Sequence, residues 1–436
     1  MITPKTLVFP RMELKGYDHA PPIVVGTGEV HMNSMGEFAY SLTGTPADIP
    51  YAFREMNRQR ENPYDGLAMF RLVGDDLAGI KWAGGYTNPR PDVRGTQWTF
   101  TGTFESLTAD DSGDSVSKDV GVELLFPLRV GDPMSFHLAR YVRSDLAIGA
   151  PRFEYETEIL GSKIRFVYER DNSTLLVTAS LSEQLSPPFA ENWLSEPLRI
   201  LFGQLIFPRL VARNLGKGRA WVSVRRSPDL VSGAGWTALW GGKNSNSQDN
   251  CAFWSSYAAL LRYIALDRAK SGTPNFEANK ITRLYEECIQ AARGSRWVWA
   301  LTFASSIEGL TSSLIQHAPK PSAEETAAYL AEVDQVEKFI KYIQGVPGED
   351  RHKKIAAGAL RRSVSMTTIR ALRRMKAAGI ITEEQLSAWE AMRHAVMHGS
   401  LVSPYSTKEE DEKLLALAEM MHALTRELLR RTAIVN

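Results

Sequence analysis

Cysteine is nearly absent from this chain: only Cys251 and Cys288 occur in 436 residues. Nothing in their spacing pairs them, which excludes a disulfide framework and a cysteine-based zinc site and suits a reducing compartment. Net charge is almost absent as well. Lys and Arg number 51 against 50 Asp and Glu, leaving a formal charge of +1, so bulk charge selects no particular partner. No run approaches the roughly 18 apolar residues of a membrane span, and no apolar signal core follows Met1-Ile2-Thr3-Pro4-Lys5. These absences predict a cytoplasmic protein, neither secreted nor anchored in a membrane. The glycines supply no phosphate loop, because Gly216–Ala220 lacks the G-x4-G-K-S/T spacing. No repeat of fixed period is visible.

What is present changes character twice along the chain. From Thr6 to about Leu181 the text is strand-like, with short β-branched or aromatic runs broken by Gly, Pro, Asn and Asp. Pro22–Val25, Gln97–Phe104, Val122–Phe126 and Lys163–Tyr168 are examples, and Asp171-Asn172 reads as a hairpin turn between Ile164–Tyr168 and Thr174–Ala179. Many short strands predict an antiparallel sandwich or barrel over residues 1–190. Its histidines, His19, His31 and His137, are isolated, and its polar loops, Ser106–Asp119 among them, hold no catalytic constellation. A mixed connecting region is expected over 191–294. It holds a helix from Ser195 to about Phe207, a strand at Ala220–Val224, a Gly/Ser/Asn-rich linker over 227–250 and helices over Trp254–Ala269 and Ala278–Ala292.

Residues 295–436 read as purely helical. Helices are predicted over Trp297–Ile315, from the capping sequence Ser322-Ala323-Glu324-Glu325 to about Ile343, and from about His352 to Lys376. Thr382-Glu383-Glu384-Gln385 opens another helix, and Ser406-Thr407-Lys408-Glu409 opens the last, whose stripe Leu414, Leu417, Met421, Leu424 and Leu428 has core spacing.

The stretch that reads as chemistry is Arg393-His394-Ala395-Val396-Met397-His398-Gly399. Gly399 is placed to stop the helix that Thr382 opens, so His398 is expected in its last turn. There the helix dipole favours the imidazolium and a general-acid role. Arg393 supplies a permanent cation able to neutralise a phosphate oxygen as charge develops. Five residues apart on a helix means a rotation of roughly 140°, so Arg393 and His398 do not share a face, whereas His394 and His398 do. That split suits a cleft entered from two directions, such as a two-fold seam between two chains.

This motif resembles the R-x4-H signature of the HEPN superfamily, all-helical domains that include many metal-independent ribonucleases. A β-rich front followed by a helical domain, with the motif on the penultimate helix, resembles the ApeA-like anti-phage proteins within it. The resemblance implies an α+β multidomain chain: an antiparallel β-sandwich-like domain, then an all-α HEPN bundle over 295–436. It further implies a homodimer through that bundle, with RNA cleaved by its own 2′-OH to a 2′,3′-cyclic phosphate without metal or cofactor. His394, at the family's polar position after the arginine, would orient the phosphate or His398. An anti-phage (abortive infection) role follows from the resemblance, with the β region as sensor of a phage-derived trigger. An alternative is an inert HEPN dimerisation module attached to a ligand- or protein-binding β domain.

Two further readings stay open at this level. His394-x3-His398 also has metal-pair spacing, with Glu390 or Glu308 as possible third ligands, although no HExxH and no nearby Cys accompany it. Glu308 reads otherwise as a surface residue. Second, Arg351–Lys376 contains nine Lys and Arg residues and no acid. Like charges three or four apart repel, which a bound polyanion would relieve. Arg361, Arg362, Arg370, Arg373 and Arg374 are therefore candidate RNA contacts, unless partners on neighbouring helices neutralise them.

Overall fold

The structure, a computed structural model, describes residues 5–16, 20–32, 38–61, 70–104, 106–110, 121–127, 152–169, 173–186, 189–216, 219–225, 231–232, 237–239, 250–268, 272–275, 277–318, 323–397 and 405–435. The chain divides into two compact units. One comprises Met1–Leu198, Leu205–Val231 and Ser245–Ala278, and the other Arg199–Gln204, Ser232–Asn244 and Asn279–Asn436.

The first unit is built on one antiparallel sheet. Its first hydrogen-bonded series joins β1 (Lys5–Lys15), β2 (Pro22–Met32), β3 (Phe38–Thr45), β4 (Phe70–Asp75), β5 (Lys81–Thr87), β6 (Arg90–Arg94), β7 (Gln97–Phe104) and β8 (Ser106–Asp110). Its second series joins β9 (Gly121–Pro127), β10 (Arg152–Ile159), β11 (Ser162–Glu169), β12 (Thr174–Ser180), β14 (Leu210–Gly216) and β15 (Arg219–Arg225), while β13 (Gln204–Leu205) stands outside it. The order is β10-β11-β12-β9-β14-β15-β8-β5-β4-β1-β2-β3-β7-β6. Alternation explains the pairing. On β12, Leu175, Val177 and Ala179 point inward, and on β3, Phe38, Tyr40 and Leu42 do.

The β text from the sequence is therefore borne out, and Gln97–Phe104 matches β7 residue for residue. The hairpin predicted between Ile164–Tyr168 and Thr174–Ala179 is the β11–β12 pair, registered Ile164↔Ala179 through Glu169↔Thr174. Asp171 and Asn172 lie outside the described residues. His31 is satisfied on the sheet surface, its Nδ1 lying 3.0 Å from Thr6 Oγ1, and His19 and His137 lie outside the described residues.

Two expectations need correction here. A helix, α1 (Ile49–Glu61), interrupts the strand-like region and buries Ala52. The local reason is legible afterwards: the Asp48 carboxylate accepts from Tyr51 N at 3.0 Å, capping a first turn that Pro50 tolerates. The helix expected from Ser195 is α2 (Ala190–Phe202), one turn earlier at its start and shorter at its end. Gly203 ends it at φ 59°, where a Cβ would lie 2.6 Å from Ala238 N, and Gln204–Leu205 is extended. The first unit closes with α3 (Asn250–Leu266), which lays Trp254 on Tyr155 with centroids 3.9 Å apart and donates from Tyr257 OH to Leu194 O at 2.9 Å.

The second unit is helical: α4 (Lys280–Ala291), α5 (Arg296–Gln316), α6 (Ala323–Gly345), α7 (Asp350–Val364), α8 (Thr368–Ala377), α9 (Glu383–Met397) and α10 (Lys408–Val435). Its core is the α10 stripe expected from spacing; Leu414, Leu417, Met421, Leu424 and Leu428 are fully buried, against Phe303, Ile307, Leu310 and Leu314 of α5 among others. Each such side chain contributes about 1.5–3 kcal/mol. By length and composition α5 could cross a membrane, and 56% of that apolar window is buried within the fold.

The helix expected from His352 to Lys376 is two helices. Ser365 is extended (φ −71°, ψ 150°), and Thr367 restarts the chain as an N-cap, its Oγ1 accepting from Arg370 N at 3.3 Å. The hydroxyl satisfies one of the N–H groups left unpaired by the new start, which offsets part of the cost of the break.

Candidate functional site

The motif helix α9 opens as its sequence predicts. Thr382 N donates to Gln385 Oε1 at 3.1 Å, and Gln385 N donates to Thr382 Oγ1 at 3.2 Å, which is a reciprocal capping box. One face of α9 is core: Leu386, Trp389 and Met392 are 4%, 2% and 4% exposed. Glu390, Arg393 and His394 are exposed and related by steps of three and four, with Arg393 at the edge of the core face, one turn after Trp389.

Arg393 is held between two groups. Its Nε donates to Glu308 Oε1 of α5 at 2.7 Å, and its guanidinium lies 5.6 Å from the centre of the Trp389 ring. Trp389 in turn donates from Nε1 to Ala304 O at 3.3 Å. Trp389 and Arg393 are one turn apart on α9, and Ala304 and Glu308 are one turn apart on α5. Two matched rungs therefore fix the register of the helices and present the cation at the surface. About half of the Arg393 side chain and 41% of Glu308 remain exposed. At that exposure the ion pair is worth about 0–1 kcal/mol and the ring contact about 0.5–1 kcal/mol. Arg393 is thus positioned but cheaply released to a stronger anion such as a phosphate.

His394 is exposed beside Arg393. His398 and Gly399 lie outside the described residues, so the predicted helix stop and general acid are placed by sequence alone, directly after Met397. Among the described residues no three His, Cys, Asp or Glu side chains come together to hold a metal ion. Cys288 is buried in α4, where desolvation pushes its thiol up to about 12, so it is no ready nucleophile. The side chain of Cys251 lies outside the described residues. His422, on α10, is a core residue: Tyr285 OH lies 3.0 Å from its Nδ1 and 3.1 Å from Thr425 Oγ1, all three side chains being buried.

The acid-free basic run is split by its surroundings. Arg361 donates to Glu337 of α6 at 2.9 Å, Arg370 to Glu332 of α6 at 3.0 Å, and Arg373 to Glu390 of α9 at 3.3 Å. Lys376 pairs with Glu383. Local sequence could not reveal these acids, because they arrive from other helices. Arg362 and Arg374, by contrast, are exposed with no ion pair among the described residues, as are Arg351 and Lys354. Three of the five candidate RNA contacts therefore already join helix to helix, and two face solvent.

Trp389 and Met392 are buried within one chain, so neither calls for cover from a second. The contact that sequence does not reveal is that of Glu308, which reads as surface in SIEGL and is 41% exposed beside Arg393. Its i, i+4 relation to Ala304 was visible, but its register against α9 was not. Comparison with protein-family models, with curated proteins and with solved structures finds no match for this chain.

Proposed function

We propose that this chain is a metal-independent endoribonuclease of the HEPN type, cytoplasmic, acting as an RNA-cleaving effector in anti-phage defence. The β-rich unit serves as sensor or regulator, and two copies join through the helical unit. The observation that carries the reading is Arg393: a cation held on an exposed helix face by Glu308 and Trp389, beside His394 and five residues before His398. Such a cation, weakly tied and half exposed, suits capture of a phosphodiester. The RNA 2′-oxygen attacks phosphorus and loses its proton to solvent base. The P–O5′ bond breaks as His398 protonates O5′, leaving a 2′,3′-cyclic phosphate and a 5′-hydroxyl. Arg393 balances the charge gathering on the phosphate oxygens, and His394 orients the phosphate.

Purified protein incubated with total cellular RNA and excess EDTA tests the metal independence. Cleavage is expected to persist. Loss in chelator, restored by zinc or manganese, would assign His394 and His398 to a metal instead. The two-fold seam has its own test, since a spacing of five residues on an ideal helix predicts a separation of roughly 140° between Arg393 and His398. Mixing Arg393→Ala with His398→Ala protein, and allowing subunits to exchange, is expected to return part of the activity. A monomer at micromolar concentration that cuts at full rate would dismiss the composite site.

One observation favours a second reading. The Glu308 contact makes Arg393 equally able to act as a strut between α5 and α9, as it would in an inert dimerisation module with a ligand-binding β unit. A strut would show itself as a loss of stability on substitution, with no RNA cleavage to lose.

A further inference from the structure

One face of α7 combines unneutralised cations with an unexplained glycine. Arg351, Lys354, Gly358 and Arg362 follow one another by three, four and four residues, which places them within an arc of roughly 80° and along roughly 16 Å of helix. The three cations are exposed, and no ion pair involves them among the described residues. Asp350 is on the first turn, where the helix dipole accommodates an acid. The neighbouring Arg361 is turned to Glu337 of α6, beside the stripe and not on it.

Gly358 is the second observation, independent of charge. Glycine inside a helix is destabilising relative to alanine, and it leaves the backbone open to close approach. Packing does not require it here. A Cβ at 358 would meet only Arg362 Nη1, at 3.6 Å, an ordinary van der Waals distance. The bare backbone lies between the cations, where a ligand chain lying along the helix would come closest. Ile355, 56% exposed, borders the same stripe and offers apolar contact to a sugar or base.

We infer that Arg351, Lys354, Gly358 and Arg362 form a track for the RNA phosphodiester backbone, whereas Arg361, Arg370 and Arg373 are struts between helices. This rests on the ribonuclease reading for the identity of the polyanion. Each phosphate neutralised on a single strand contributes about 0.7 to the slope of log affinity against log salt.

The test uses the full chain and a fluorescent RNA 20-mer carrying 2′-O-methyl groups throughout, which cannot be cut by its own 2′-oxygen. Binding is followed by anisotropy across a salt series. The triple variant Arg351→Gln/Lys354→Gln/Arg362→Gln is expected to lower the slope by about two units. Arg361→Gln/Arg370→Gln/Arg373→Gln is expected to keep the slope and lower the melting temperature. Gly358→Ala, which alters no charge, is expected to raise the melting temperature and weaken binding. An unchanged slope in the first triple, an equal slope loss in the second, unchanged binding by Gly358→Ala, or no salt-dependent binding by the unaltered chain would each overturn the track. An all-ribose oligonucleotide at low salt judges the other reading. Binding with the expected slope but no cleavage ends the ribonuclease reading and leaves the track; cleavage with an unchanged slope does the reverse.

Discussion

Arg393→Ala is expected to lower RNA cleavage by about 10²–10³-fold, the usual cost of removing one positioned donor from a developing anion. Its melting temperature should move by only a few degrees. The Glu308 pair is about half exposed on both sides, and such pairs contribute about 0–1 kcal/mol. The large kinetic effect and the small thermodynamic one must occur together. Arg393→Lys should rescue poorly, since an ammonium restores the charge but not the planar fork that meets two phosphate oxygens. Cleavage assays beside thermal denaturation check both. Undiminished cleavage by a folded Arg393→Ala protein would remove the residue from catalysis, and a collapse in stability without an effect on cleavage would make it a strut.

Trp389→Ala should give the largest loss of stability near the site. The side chain is 2% exposed, and truncating a buried aromatic of this size costs about 3–5 kcal/mol. Two effects combine: a cavity between α9 and α5, and an Ala304 carbonyl that loses its indole donor. Trp389→Phe keeps most of the ring and should be milder. It also keeps an aromatic face under the Arg393 guanidinium, so it should retain more cleavage than Trp389→Ala at a temperature where both are folded. Chemical denaturation measures the difference, and equal stability of Trp389→Ala and the unaltered protein would refute the packing of α9 on α5 described above.

These two residues show where sequence suffices and where it stops. The capping box at Thr382 and Gln385 is a local device, written in four consecutive residues, and the structure has both its hydrogen bonds. Strands such as β7 and the core stripe of α10 were equally legible, because periods of two and of three to four report burial directly. The break at Ser365–Thr367 was not, since the basic residues on both sides continue a helical text and only the Thr367 cap competes with it. Helix α1 was hidden inside a long β-rich passage. The ion pairs were beyond reach altogether. Glu308, Glu332, Glu337 and Glu390 meet their arginines through tertiary register, which charge patterning along one helix cannot supply. The same limit applies to Trp389: its spacing marks it as buried, but not that α5 covers it.

The central claim, that Arg393 and His398 cleave RNA without metal through its own 2′-oxygen, is tested most directly by the ends of the cut RNA. A defined RNA would be incubated in EDTA with the unaltered protein or with folded His398→Ala, and the products mapped. Fragments ending in 2′,3′-cyclic phosphate and beginning in 5′-hydroxyl, absent with His398→Ala, are the predicted result. Fragments bearing 3′-hydroxyl and 5′-phosphate ends, or the same cuts from His398→Ala, would contradict it.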